Sequence, residues 1–236
     1  MYMESLGLLL SIVMINIVLS GDNAVVIAMA SRCLPAKQQK MAILWGSAGA
    51  IVLRILFTFV VVLLLQIPYT QFVGGFVLVF VAAKLMVEEK HDDCIEAASS
   101  LKQAVKMIIF ADLVMSLDNT LAIAAVANGD IILLYLGLLL SIPLIIFGSQ
   151  LIIKIMDKYP IVVFAGAALI AWTAGEMMMH DQNIGPHILV YIPGWVMPAL
   201  VTAGVLGYGK WIRRNQIADE KSSLDNSPDH LKSEGE

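Results

Sequence analysis

Apolar residues in this chain run together instead of recurring at every second or every third and fourth position. Seven stretches are nearly unbroken: Leu6–Ala30, Met41–Leu65, Phe72–Val87, Ala104–Ala127, Ile131–Ile153, Ile161–Met179 and Ile188–Tyr208. A helix needs about 20 mostly apolar residues to cross the hydrocarbon core of a bilayer. The pattern predicts an all-α polytopic membrane protein of about seven transmembrane helices. Phe72–Val87 is the shortest run, and Ile188–Tyr208, with Pro193 and Pro198, is expected to kink. The first run is long, has no basic segment before it and resembles a later one, so it is read as a span and not as a cleaved signal peptide. Residues 1–217 form the transmembrane domain in this reading, and Ala218–Glu236 a disordered, acidic, cytosolic tail.

Composition sharpens this assignment. Hydrophobic residues make up 59% of the chain and charged residues 14%, against about 25% charged in soluble domains. The net charge of −4 comes entirely from the tail, since residues 1–217 carry 13 acidic and 13 basic residues. Such a balance offers no surface for nucleic acid. No phosphate-binding glycine loop is present, so ATP hydrolysis is not expected. Basic residues alternate along the connections. Arg32, Lys37 and Lys40 follow the first run, Lys90, Lys102 and Lys106 flank the third and fourth, Lys154 and Lys158 follow the fifth, and Lys210, Arg213 and Arg214 follow the seventh. The connections 66–71, 128–130 and 180–187 have no Lys or Arg, and neither has Met1–Ser5. Basic loops stay on the cytoplasmic side. The chain is therefore expected in the inner membrane with its N-terminus outside, its C-terminus in the cytosol and an odd number of spans. Cys33 and Cys94 fall in cytosolic loops, where disulfides are rare.

Two segments match without gaps at an offset of 96: Asn16–Ala30 (NIVLSGDNAVVIAMA) and Asp112–Val126 (DLVMSLDNTLAIAAV). Both carry Ser-x-Asp-Asn. Apolar identities are common between membrane helices, whereas a repeated acidic motif is not. The copies lie in the first and fourth spans, three apart, so they cross in opposite directions. The expected layout is two inverted three-helix repeats, at about 6–87 and 104–179, with an extra C-terminal helix at about 188–208. Transporters built this way place their site where the repeats meet.

Asp22, Asp112 and Asp118 each lie deep within an apolar run. An ionised carboxylate there costs roughly 2.5–3.5 kcal/mol on insertion scales, so such groups normally face a partner or a pathway. Asn16, Ser20 and Asn23 share one helix face, as do Asp112, Ser116 and Asn119. Asp22 and Asp118 project about 100° away from their neighbouring Asn. Gly21 and the Ser-x-Asp-Asn pattern suggest a local helix break that would free carbonyls as further ligands. The candidate metal ligands are Asn16, Asn23 and Asn119 with the three carboxylates. All are oxygen donors, which suit Mg²⁺, Ca²⁺ or Mn²⁺ over softer ions. Hydrogen bonding between helices is the competing explanation, and it suits Ser20 and Ser116 best. Arg54, in mid-span, is a candidate counter-ion to Asp22 or Asp112 and so a coupling residue, the alternative being a static ion pair. Glu176, near the outer end of the sixth run, is a candidate gate. Lys84 is expected to snorkel, and Glu88–Glu96 is an acidic cytosolic loop that is either solvated or gathers cations.

N-x-V-L-S-G-D-N in the first run and D-x-x-x-S-x-D-N in the fourth resemble the TerC family of integral membrane proteins, over roughly Leu6–Tyr208. The resemblance is to the shorter bacterial, tellurium-resistance-like branch. It implies the inverted-repeat fold of lysine-exporter-like proteins, no enzymatic activity and export of Mn²⁺. The metal would be a transported substrate, with no permanently bound cofactor. Asp22, Asn23, Asp112, Asp118 and Asn119 fill the family's acidic motif positions, while Asn16 stands where the second copy has Asp112. Implied partners are the bilayer, the metal ion and either a second copy or secretion machinery. Three alternatives remain: export of an organic solute such as an amino acid, an intramembrane enzyme using Asp22 and Asp118 as paired aspartates, and an accessory protein that docks on a secretion or metal-loading complex.

The loop charges make the orientation testable. A cytosolic-type reporter fused after Glu236 is expected to be active, and a periplasmic-type reporter silent. The reverse result would remove both the orientation and the inverted-repeat argument.

Overall fold

The computed structural model describes residue 14 and residues 21–64, 67–87, 100–127 and 131–225. Among these residues there are eight helices and no strand: α1 (Gly21–Ser31), α2 (Ala36–Leu64), α3 (Thr70–Val87), α4 (Leu101–Ala127), α5 (Ile131–Lys158), α6 (Ile161–Met179), α7 (Gly185–Leu189) and α8 (Val196–Asp225). Helices α2 to α6 each carry one predicted run, and α1 is the C-terminal part of the first. Among the described residues, Ala36–Phe57, Thr70–Val87 and Ile161–Met179 are long and apolar enough to cross a membrane. The protein is an all-helical polytopic membrane protein.

The seventh run departs from expectation. It does not kink but breaks, with α7 ending at Leu189 and α8 starting at Val196. Pro193 lies in the gap. It has no N–H to donate and disfavours helical geometry in the residue before it. Pro198 is the third residue of α8, where the missing N–H has no intrahelical partner in any case. The apolar part of α8 is Val196–Ile212. The helix then continues to Asp225, eight residues into the segment expected to be disordered. Residues 226–236 and Glu88–Glu96, with Cys94, lie outside the described residues.

Local chemistry ends the helices. The Ser31 hydroxyl donates back to the Ile27 carbonyl at 2.6 Å as α1 closes, and Pro35 directly precedes α2. At the far end of α2, the Thr70 hydroxyl donates to the carbonyls of Leu64 (3.0 Å) and Ile67 (2.8 Å). Tyr69 takes φ 65 in this turn, a region disfavoured for side chains with a Cβ.

Helix packing has a repeating pattern. The α2–α4 contact is matched by α5 on α1, α3–α4 by α6 on α1, and α1–α2 by α4 on α5. The α1–α4, α2–α5 and α3–α6 contacts are their own counterparts, and α8 lies against α6 and α3. Close approaches show the directions. Gly46 meets Ile108 and Gly49 meets Ile109, so α2 and α4 run parallel. Gly75, near the start of α3, meets Ala174 and Met178, near the end of α6, so those two run antiparallel. Small residues make this closeness feasible, as in other membrane helix pairs. The inner face of α6 is built from Val163, Ala167, Ile170, Ala171, Ala174 and Met177, all buried.

These directions bring the described Lys and Arg residues, with the exception of Arg54, to one end of the bundle. They flank the α1–α2 turn, the end of α3, the start of α4, the end of α5 and the middle of α8. Exposed aromatics mark both ends: Tyr159, Tyr208 and Trp211 at the basic end, and Tyr69, Tyr191 and Trp195 at the other. Phe76, Phe80, Phe147, Leu151 and Leu200 are exposed between them. An apolar waist between aromatic girdles is the surface a bilayer requires.

Glycine packing yields a prediction with an internal control. A Cβ at Gly75 would lie 2.6 Å from the Ala174 carbonyl oxygen, whereas one at Gly207 meets nothing within 4 Å. Gly75→Ala is expected to destabilise the protein by about 1–3 kcal/mol, because a backbone atom cannot move aside. Gly207→Ala is expected to be neutral or stabilising by up to about 1 kcal/mol. Thermal unfolding in detergent compares the two.

Candidate functional site

The motif-bearing helix α4 lies parallel to α2, and this register sets Arg54 opposite Asp112 and Ser116. Arg54 is 5% exposed and Asp112 12%. The guanidinium Nη2 donates to Asp112 Oδ1 at 2.6 Å, and Nε donates to Ser116 Oγ at 3.0 Å. The Ser116 hydroxyl in turn donates to Asp112 Oδ2 at 3.3 Å. Three side chains from two helices thus form a closed triangle that gives both Asp112 oxygens a donor. Charge-assisted bonds of this kind are roughly twice as strong as neutral ones. Removing one partner of such a buried pair costs about 3–5 kcal/mol, since the other charge is left uncompensated.

Asp22, at the first turn of α1, lies within electrostatic reach of both Arg54 and Asp112. Its Oδ1 accepts the backbone N–H of Asn23 at 2.8 Å. Asn23 itself is 2% exposed, and neither end of its amide has a hydrogen-bond partner among the described residues. A buried polar group left unbonded costs about 1–3 kcal/mol, so native structures seldom keep one without a use. Asn119 is also buried, less than one turn beyond Ser116 on α4. Asp118 is carried on the same helix, but its side chain lies outside the described residues, as do Asn16 and Ser20 altogether.

Arg54, Asp112 and Ser116 therefore come together, Asp22 lies within electrostatic reach of the pair, and Asn23 and Asn119 are carried on α1 and α4. The donors are carboxylate and amide oxygens. Among the described residues, no three His, Cys, Asp or Glu side chains gather into a metal-binding group. Any cation held here must draw on the amides and on motif residues outside that set.

Several expectations change. The second motif does not break its helix, since α4 is continuous through Ser116–Asn119. Ser116 bonds to Arg54 and Asp112 instead of competing for the backbone, and Leu117 stands where the first copy has Gly21. Freed carbonyls are therefore not available from α4. Glu176 does not join the cluster. It is exposed near the end of α6, and its Oε1 accepts the Trp172 indole N–H at 2.8 Å from one turn earlier. Lys84 is exposed near the basic end of α3, as snorkelling requires.

One polar residue was not singled out from sequence. Asp181 is 3% exposed. Its Oδ1 accepts the N–H groups of Asn183 (3.0 Å) and Ile184 (3.3 Å), and its Oδ2 accepts that of Phe72 (3.2 Å). Phe72 is in the first turn of α3, so Asp181 caps that helix from across the fold. The two local bonds follow the Asx-turn pattern that sequence can suggest. The bond to Phe72 has no sequence signature.

A family model described as "Integral membrane protein TerC family" matches residues 1–217. The chain is similar to three Bacillus subtilis (strain 168) proteins, each named an "Uncharacterized membrane protein". It is 45% identical to YjbE over 176 residues, covering 75% of this chain and 81% of that protein. It is 28% identical to YceF over 201 residues, covering 80% and 77%, and 24% identical to YkoY over 183 residues, covering 69% and 56%. No solved structure matches the chain. With both acidic motifs inside the matched region and an all-helical membrane fold around them, the chain belongs to the TerC family of integral membrane proteins.

Proposed function

We propose that this protein is a secondary transporter that exports a divalent cation, Mn²⁺, from the cytosol through an oxygen-donor site where the two halves of the chain meet. The observation that carries the proposal is the buried Arg54–Asp112 pair in an apolar fold, with a second carboxylate, Asp22, on the contacting helix α1 within its electrostatic reach. Carboxylates that serve only as glue would be replaceable by neutral groups without the cost of charge in lipid. The amide of buried Asn23, which has no hydrogen-bond partner among the described residues, supplies a further oxygen ligand. Asp112, Asp118, Asn119 and Asn16 complete the proposed set.

The matched helix contacts and the antiparallel α3–α6 pair support inverted repeats. Parallel repeats would set α3 and α6 in the same direction. The gathering of basic residues at one end supports a cytosolic assignment for that end. The oxygen donors favour a hard cation, and membership of the TerC family favours Mn²⁺ over Mg²⁺ and Ca²⁺. The reading as an organic-solute exporter weakens, because two nitrogens of Arg54 are committed to Asp112 and Ser116. A substrate carboxylate would have to displace both.

Purified protein in liposomes, assayed with Mn²⁺, Ca²⁺, Mg²⁺ and Zn²⁺ with and without a proton gradient, tests the proposal. Mn²⁺ flux is expected. Asp22→Asn and Asp118→Asn are expected to reduce it by roughly a hundredfold or more, at least the loss seen when supporting residues of metal sites are changed. Insertion should be intact, because the amide is close in shape and cheaper to bury. Cells lacking the protein and other manganese exporters should accumulate manganese, and Asp118→Asn should not restore them. Near-normal flux in both variants would reduce the aspartates to structural roles.

A further inference from the structure

We propose that Arg54 is a tethered competitor for the transported cation and, through the same contacts, a latch between the two halves of the protein. The inference rests on the transport reading above and assigns a regulatory role within that site. Arg54 belongs to α2 in the first half of the chain, and both its named partners belong to α4 in the second. Its guanidinium engages Asp112 Oδ1 directly, while Ser116 both accepts from Arg54 and donates to Asp112 Oδ2.

A cation that takes Asp112 as a ligand must claim an oxygen already bonded to a full positive charge. It therefore has to move the guanidinium away, since like charges sharing a carboxylate in a low-dielectric interior repel strongly. The apparent affinity of the site is lowered by the fraction of time Arg54 holds Asp112. The same displacement removes a charged tie between α2 and α4. Ion binding thereby frees the halves to move, and ion release lets the tie re-form. Arg54 also keeps Asp112 compensated when the ion leaves, which avoids a bare carboxylate in the membrane interior. Ser116 is the positioning residue. It fixes the guanidinium by Nε and orients the far carboxylate oxygen.

The test is titration of the detergent-solubilised full chain with MnCl₂, for the unaltered protein, Arg54→Gln, Arg54→Lys and Ser116→Ala. Arg54→Gln is expected to bind Mn²⁺ about tenfold more tightly, as removing a competitor that holds the site nine-tenths of the time would give. Arg54→Lys should stay near the unaltered value. Ser116→Ala, which deletes one bond of the latch, should tighten binding about threefold. In liposomes Arg54→Gln should show a lower KM with a lower maximal rate, because release is no longer assisted. Mn²⁺ should raise its melting temperature more than that of the unaltered protein, a change that loss of a purely structural ion pair would not produce. If Arg54→Gln does not fold, Ser116→Ala and Arg54→Lys decide the matter. Equal affinity across the folded variants, with the unaltered protein still binding Mn²⁺, overturns the latch and leaves the transport reading standing. No divalent-ion binding by any form overturns the transport reading and the latch with it.

Discussion

An arginine and an aspartate held together inside an apolar bundle set the terms for the rest of this structure. Neither charge is tolerated alone at that depth. Their pairing requires α2 and α4 to run parallel and to keep a register that brings Arg54 within 2.6 Å of Asp112. Gly46 and Gly49 make that register feasible, because the side chains of Ile108 and Ile109 fill the space where their Cβ atoms would be. Ser116 then supplies the one hydroxyl able to accept from the guanidinium and donate to the carboxylate at the same time. The polar centre and the small-residue packing around it are one constraint met from two sides.

Helix α6 performs the complementary task on the other side of the bundle. Its small residues let α3, α8 and α1 approach closely, and Gly175 leaves room for Pro198 at the start of α8. Asp181 ties the end of α6 to the first turn of α3 by bonding the Phe72 N–H. Lipid offers no hydrophobic drive to hold helices together, so shape fit and satisfied polar groups must do so. The antiparallel α3–α6 pair is thus fixed by Gly74 and Gly75 near the start of α3 and by one buried carboxylate just beyond the end of α6.

On the proposed transport reading, ion chemistry decides how this scaffold would work. The oxygens of Asp22, Asp112, Asn23 and Asn119 sit on helices that meet across the two halves of the chain. Substrate release from such a site requires the affinity to be limited, since a site that holds its ion too firmly cannot turn over. A fixed positive charge beside the ligands is a direct physical means of limiting it. Asn23 and Asp112 are opposite cases as proposed ligands: the amide of Asn23 has no hydrogen-bond partner among the described residues, and the carboxylate of Asp112 would have to give one up.

Much of this was legible in the order of residues. Uninterrupted apolar runs imply membrane helices because a bilayer rewards total hydrophobicity over one residue-length scale. The doubled Ser-x-Asp-Asn pointed to the candidate site because charge in lipid is costly enough to need a reason. Loop charge separated the two ends, and the resemblance to the TerC family agreed with the family match. What sequence did not contain was contact across helices. It offered Arg54 two partners, Asp22 and Asp112, and the parallel α2–α4 register gave the direct bond to Asp112. It suggested a helix break at both motifs, yet α4 is continuous because Ser116 spends its hydrogen bonds on side chains of the cluster. It did not single out Asp181, which folding brings 3.2 Å from an amide 109 positions earlier. Hydrophobicity and charge are properties of single residues and can be read along a line. Pairing depends on which helix faces come together, and that is decided only when the bundle closes.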